Sequence, residues 1–318
     1  MLDSIGALVG VSSDGEDVMS EQARMGNRHR GIQRTAQISR AGSIGRRVSF
    51  ECLYYLLMLS LVVVFALPLA WMLSTSLKLE AQVVEVPPRW IPNPLVWGNY
   101  PEMWQSFPFG SFYSNSLKIA SLNIVGVLFF ASLAGYAFAR IRFAGRDILF
   151  SILLSTMMIP GVVTLIPLYI TFRGIGWIDT HYPLWVPNVL SNVSSLFLLR
   201  QFFMTIPQDL EDAAKIDGCS NFSTYWRVVL PQVKPALATV GIFTYLGSWN
   251  AFLAPLIFIN SLEKQTLPMG LALFQTEFEQ RVALTMAAAS IVSMPVLIIY
   301  FFAQRYFIQG ITLTGIQG

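Results

Sequence analysis

The chain has 318 residues, of which 54% are hydrophobic and only 12% charged, and its mean hydropathy is positive. That balance excludes an ordinary soluble domain, which carries about twice that share of charge. A net charge of +3, with no basic stripe interleaved with aromatics, argues against nucleic acid as a partner.

Residues 1–50 read as a cytosolic N-terminal tail, polar and rich in Ser, Gly and Arg, with its first part expected to be disordered. The tail has no apolar run long enough for a signal-peptide core. Residues 51–318 then hold six apolar stretches, each supplying the roughly 20 residues that cross a hydrocarbon core as a helix. They cover 52–77, 112–139, 148–172, 182–199, 236–259 and 282–304, and only Lys118 interrupts them with a charge. A soluble bundle would need polar faces on most of these stretches. The expected fold class is therefore all-α, a membrane protein with six transmembrane helices.

Lys and Arg set the orientation. The tail (Arg24, Arg28, Arg30, Arg34, Arg40, Arg46, Arg47), a short loop (Arg140, Arg142, Arg146), a longer loop (Arg200, Lys215, Arg227, Lys234) and Arg305 share one side. The other side holds only Lys78, Arg89, Lys118, Arg173, Lys264 and Arg281, so the positive-inside rule places both termini in the cytosol. Cys52 and Cys219 then lie near cytosolic faces and are expected to be reduced. Residues 78–110, with Pro87, Pro88, Pro92 and Pro94 and the aromatics Trp90, Trp97 and Tyr100, form an external, partly interfacial loop.

No Asp, Glu or His sits at mid-membrane, which leaves no carboxylate or imidazole to carry a proton or a coupling cation. No Gly-rich phosphate loop occurs either, so the chain is not expected to be an enzyme and its energy must arrive from another subunit. His29 and His181 have no neighbours at metal-ligand spacing, and no metal site is expected.

In the third stretch Pro160, Gly161 and Pro167, and in the fifth Pro255, free backbone carbonyls and permit bends. In the fourth, Asn188, Ser191, Asn192 and Ser195 fall at i, i+3, i+4 and i+7 and share one helical face. That face suits either the wall of a solute path or the polar glue common between membrane helices. The fifth carries Trp249 and Asn250, an indole that can lie against a sugar ring or simply pack, beside an amide that can hydrogen-bond.

The loop over 205–235 is the most informative. Pro207 suits a first helical turn, Asp209, Glu211 and Asp212 favour its positive end, and Gly218 suits its C-terminal cap. A second short helix starts near Ser220 or Asn221 and stops before Pro231. Ala213, Ala214 and Gly218 are small, so one side can press into another protein's groove, although an ordinary amphipathic surface loop has the same residue types.

The loop resembles the EAA loop of ABC importer permeases, whose pattern is Glu-Ala-Ala, three residues, Gly, nine residues, Ile-x-Leu-Pro. Asp212, Ala213, Ala214, Gly218, Val228, Leu230 and Pro231 occupy those places, with Asp212 for the Glu and Val228 for the Ile, and Glu211 is placed to share the acid's role. Similarity runs from about Phe50 to Gly318 and is to the MalG-type carbohydrate branch. It rests on Asn115-Ser116-Leu117, Met158-Ile159-Pro160, Ile166-Pro167-Leu168-Tyr169, Leu199-Arg200-Gln201-Phe202-Phe203, Trp249-Asn250, Thr266-Leu267-Pro268-Met269-Gly270-Leu271 and Gln304-Arg305-Tyr306-Phe307. Ala251, the Ser194-Ser195 pair and Gln317 depart from the pattern.

The resemblance implies a type I importer permease in a bacterial cytoplasmic membrane, with a coupling helix seated in a cytosolic ATPase. Implied partners are a second homologous permease chain, two ATPase copies that bind the ATP and Mg, and an external sugar-binding protein reached by the loop over 260–281. The carried solute would be a carbohydrate; a glycerol phosphodiester or a peptide, or a scaffold without transport, remain the alternatives. Asn188, Asn192, Ser195, Trp249 and Asn250 are the residues expected along the path.

Overall fold

A computed structural model describes residues 50–278 and 280–315. The expected tail before Phe50 and Gln317 fall outside the described residues, as do the side chains of Arg305, Tyr306 and Phe307. All regular structure among the described residues is helical. The chain divides into two compact units, residues 1–70 and 71–318. The described part of the first is apolar helix, belonging to α1 (Phe50–Ser76).

In the second unit, α2 (Glu80–Val83) and α3 (Asn99–Ser106) lie in the loop that precedes α4 (Phe109–Arg140). α5 (Arg146–Thr156) and α6 (Gly161–Gly174) follow, then α7 (Tyr182–Ser191), α8 (Val193–Thr205), α9 (Asp209–Ile216) and α10 (Asn221–Thr224). The chain ends in α11 (Lys234–Trp249), α12 (Leu253–Phe258), α13 (Leu267–Glu277) and α14 (Val282–Gly315). Among the described residues four helices are long and apolar enough to span a bilayer, and six spans result when each of two bent pairs counts as one.

The bends have local causes. α5 and α6 meet at 96° across the segment that ends in Pro160, which has no N–H to continue the helix. α7 stops at Ser191 because Asn192 leaves helical geometry (φ −78°, ψ 80°); its side chain then accepts from Ser195 N–H and opens α8. The expectation of one continuous helical face in this span is thereby corrected: the polar residues flank a break. The fifth stretch is also not one helix to Ile259, since α11 ends at Trp249 and the chain re-forms as α12 after Ala251 and Phe252.

α4 is the central element and packs on α7, α8, α11 and α13. Hydrophobic transfer drives little of this packing in lipid, so close backbone approach carries it. At Gly135, a Cβ would stand 3.2 Å from Arg200 N and 3.3 Å from Leu196 O, and at Gly126 it would stand 2.4 Å from Val189 Cγ2. Two apolar clusters result. One gathers Val127, Ala131, Tyr136, Leu199, Phe203, Tyr225 and Val240. The other gathers Met103, Phe109, Phe112, Ala120, Tyr245, Trp249, Leu267 and Phe274. The stretch over 260–281, expected as a loop reaching outward, contains α13, which packs on α4 and α14 and buries Leu267 and Phe274.

Candidate functional site: a polar belt and a cytosolic-loop corner

Along α4, Asn123 falls between Ala120 of one apolar cluster and Val127 of the other. This buried amide is the hub of a polar belt. Its Nδ2 donates to Ile119 O (3.0 Å), Leu184 O (3.2 Å) and Ser248 Oγ (3.1 Å), while its Oδ1 accepts from Asn188 Nδ2 at 2.7 Å. Asn188 Oδ1 in turn accepts from Asn192 Nδ2 at 2.9 Å, and Asn192 Oδ1 accepts from Ser195 N–H at 2.9 Å. The amides are therefore linked in sequence, and these bonds set the orientation of each.

The belt lines a cavity of about 430 Å³ with Leu184, Ser194, Phe243, Thr244, Gly247 and Ala251. Asn188, Asn192 and Ser195 all line it. Ser191 does not; it is exposed and its hydroxyl donates to Pro187 O. Trp249 is a correction. Only 1% exposed, it stacks on Tyr245 and donates its indole N–H to Val292 O at 3.2 Å, so it belongs to the packed core and not to the cavity wall. Asn250 is exposed and closes its own helix by donating to Leu246 O, while its neighbour Ala251 lines the cavity. Asn123 escaped sequence reading because a single amide among apolar residues gives no periodic signal.

A second cavity of about 420 Å³ is lined by Lys118, Leu122, Asp179, Thr180, His181, Tyr182, Trp185 and Lys264. Asp179, held at φ 60°, ties this rim together: its Oδ1 accepts from the N–H groups of Asn260 (3.0 Å) and Ser261 (2.8 Å), and its Oδ2 lies 2.9 Å from Lys264 Nζ. The Ser261 hydroxyl and amide, then the Lys264 ammonium, hold the Asp179 carboxyl well below the usual carboxylate range.

At the other end, α9 turns from α8 by 79°. It closes as the sequence predicts, because Gly218 has φ +80°, Cys219 N–H donates to Ala214 O (2.9 Å) and Gly218 N–H to Lys215 O (3.0 Å). Asp212, Ala213 and Gly218 are exposed, as are Leu210 and Ile216. Glu211 and Ala214 are corrections to the expected outward face. One helical turn apart, both point into this chain, and Glu211 Oε1 lies 2.9 Å from Arg140 Nε.

The second loop helix is corrected too. It begins at Asn221 with Ser220 as its cap but does not stop before Pro231. A π-helical turn over Tyr225–Val229 and a 3-10 turn over Leu230–Val233 accommodate the proline, and the chain runs on into α11. Val228 and Leu230 pack on the apolar core, and Pro231 is exposed. Among the described residues no group of three His, Cys, Asp or Glu side chains could hold a metal.

Residues 128–313 match the family of binding-protein-dependent transport system inner membrane components. The permease AraQ of the Bacillus subtilis arabinooligosaccharides transport system is 35% identical over 83% of this chain and 94% of its own length. The permease SmoH of the Agrobacterium fabrum sulfoquinovosyl glycerol transport system is 33% identical over 79% of this chain and 88% of its own. A bacterial ABC transporter chain involved in import of the polysaccharide alginate superposes with a TM-score of 0.70 at 22% identity, covering 81% of this chain and 96% of that one. With the bent spans, the helical loop over 205–235 and the matched residues all in agreement, the chain belongs to the binding-protein-dependent transport system inner membrane component family and has the type I importer permease fold.

Proposed function

We propose that this chain forms one half of the membrane path of an importer that carries a carbohydrate inward by alternating access, driven by ATP hydrolysed in separate subunits. The observation that carries this reading is the polar belt. Its cavity offers oriented amides and hydroxyls and no charged side chain, which suits sugar hydroxyls and gives a phosphodiester no counter-ion. Relatives named for arabinooligosaccharide, sulfoquinovosyl glycerol and diacetylchitobiose transport support the solute class.

In this reading the exposed face of α9, with Asp212, Ala213 and Gly218, seats in the ATPase, which holds the ATP and Mg. A second permease chain completes the path, and a sugar-binding protein docks on the side that carries Asp179 and Lys264. In this reading the residues over 205–235 and both termini face the cytosol, an orientation that the Lys and Arg distribution supports. Labelling of Cys219 by an impermeant reagent in intact cells would overturn that orientation.

The function is tested by reconstituting the importer in vesicles with its binding protein. ATP-dependent accumulation of an oligosaccharide is expected. ATP hydrolysis stimulated by the loaded binding protein without solute entry would reject it.

A further inference from the structure

Three polar side chains, Ser132, Tyr136 and Arg140, recur at i, i+4 and i+8 on the last turns of α4, and each reaches the loop over 205–235 or its entry. The Ser132 and Tyr225 hydroxyls are 2.7 Å apart, on the π-helical turn. Tyr136 OH donates to Glu211 Oε2 at 3.3 Å. Arg140 Nε lies 2.9 Å from Glu211 Oε1, and Arg140 Nη2 donates to Phe203 O (2.7 Å) and to Ile206 O. One guanidinium thus touches α4, the end of α8, the connector and α9.

We infer that Arg140 and Glu211 form a corner brace that makes α4, α8 and α9 move as one body, so that displacement of α9 by the ATPase becomes displacement of the spans. The inference rests on the reading of α9 as the ATPase-docking helix. Without the brace, the 79° turn between α8 and α9 is a short connector through Pro207, whose backbone lacks an N–H to close it. Such a joint would absorb a push instead of transmitting it.

Stability alone does not account for an ion pair here. The two side chains are 12% and 5% exposed, so both charges lose most of their hydration. An apolar pair of similar volume would pack that space at lower desolvation cost. What an apolar pair lacks is direction. Dispersion contacts permit sliding, whereas the Arg140 guanidinium donates to two carbonyls and its charge keeps the Glu211 carboxylate, which also accepts from Tyr136 OH, in contact with it. Arg140 and Glu211 are positioning residues on this account, since neither lines the polar cavity.

The test uses the whole importer in vesicles and reads solute taken up per ATP hydrolysed. Arg140→Met combined with Glu211→Met is expected to assemble and bind ATPase while uptake per ATP falls by about tenfold, within the usual range of coupling between two sites. Arg140→Lys, which keeps a charge but loses the planar donor array, should give an intermediate ratio. If the double variant does not assemble, Glu211→Gln supplies the same reading through its lowered ratio. An assembled variant with the wild-type ratio overturns the brace. Ala213→Trp tests the underlying docking separately: loss of ATPase capture upholds it, and retained capture would overturn the docking reading and the brace with it.

Discussion

Asn188 Nδ2 donates to Asn123 Oδ1 at 2.7 Å, joining α7 to α4 at the polar belt. The bond fixes which edge of each amide remains available to a passing hydroxyl. Asn123→Leu and Asn192→Leu should each lower uptake per assembled complex several-fold, since a lost hydrogen bond is worth about 1 kcal/mol, or roughly a factor of five in rate. Trp249→Ala should behave oppositely, lowering assembly yield and melting temperature through a core cavity worth about 3–5 kcal/mol while normalised uptake holds. Uptake measured against purified, assembled complex separates the two; unchanged values for both asparagine variants would remove the belt from the path.

Gly218 closes α9 at φ +80°, with nothing within 4 Å of where its Cβ would stand. The constraint is therefore the backbone and not space. Gly218→Val should strain the cap by about 1–2 kcal/mol and weaken ATPase capture, whereas Gly218→Asn, which tolerates that region, should retain it. Equal capture by the two variants would contradict the assignment.

At Gly126 the constraint is the reverse. A Cβ would meet Val189 Cγ2 at 2.4 Å and Cγ1 at 2.7 Å, so Gly126→Ala should destabilise the α4–α7 contact by about 1–3 kcal/mol. Adding Val189→Ala opens that space, and the double variant should melt higher than Gly126→Ala alone. Simple additivity of the two losses in thermal unfolding would show that the helices do not approach this closely.

Asp179 supplies a pH prediction. Its folded carboxyl titrates below the ordinary value, so its contribution is complete above the unfolded pKa of about 3.9 and is lost as pH falls through the folded one. Asp179→Asn should therefore lower the melting temperature by a constant amount from pH 8 to about pH 5, with the gap closing only in stronger acid. A gap that widens on acidification would contradict the geometry around Ser261 and Lys264.

Much of this was legible in residue order. Apolar length located the spans, Pro160 marked the 96° bend, and Gly218 announced its own conformation. The direction of Glu211 was not, because spacing within a motif does not say which side of a short helix meets its own chain; only Arg140, 71 positions earlier in the sequence, decides it. Pro231 misled because a π turn before it absorbs what a proline normally breaks. Asn192 misled because an asparagine that reads as one member of a helical face can instead end that helix and begin the next.

The path itself is most directly tested by determining the structure of the assembled importer trapped with an oligosaccharide inside the membrane domain. The account predicts sugar hydroxyls within hydrogen-bonding distance of Asn188, Asn192 or Ser195, with Trp249 still bonded to Val292 O behind the wall. An ordered sugar that touches none of those three side chains would contradict it.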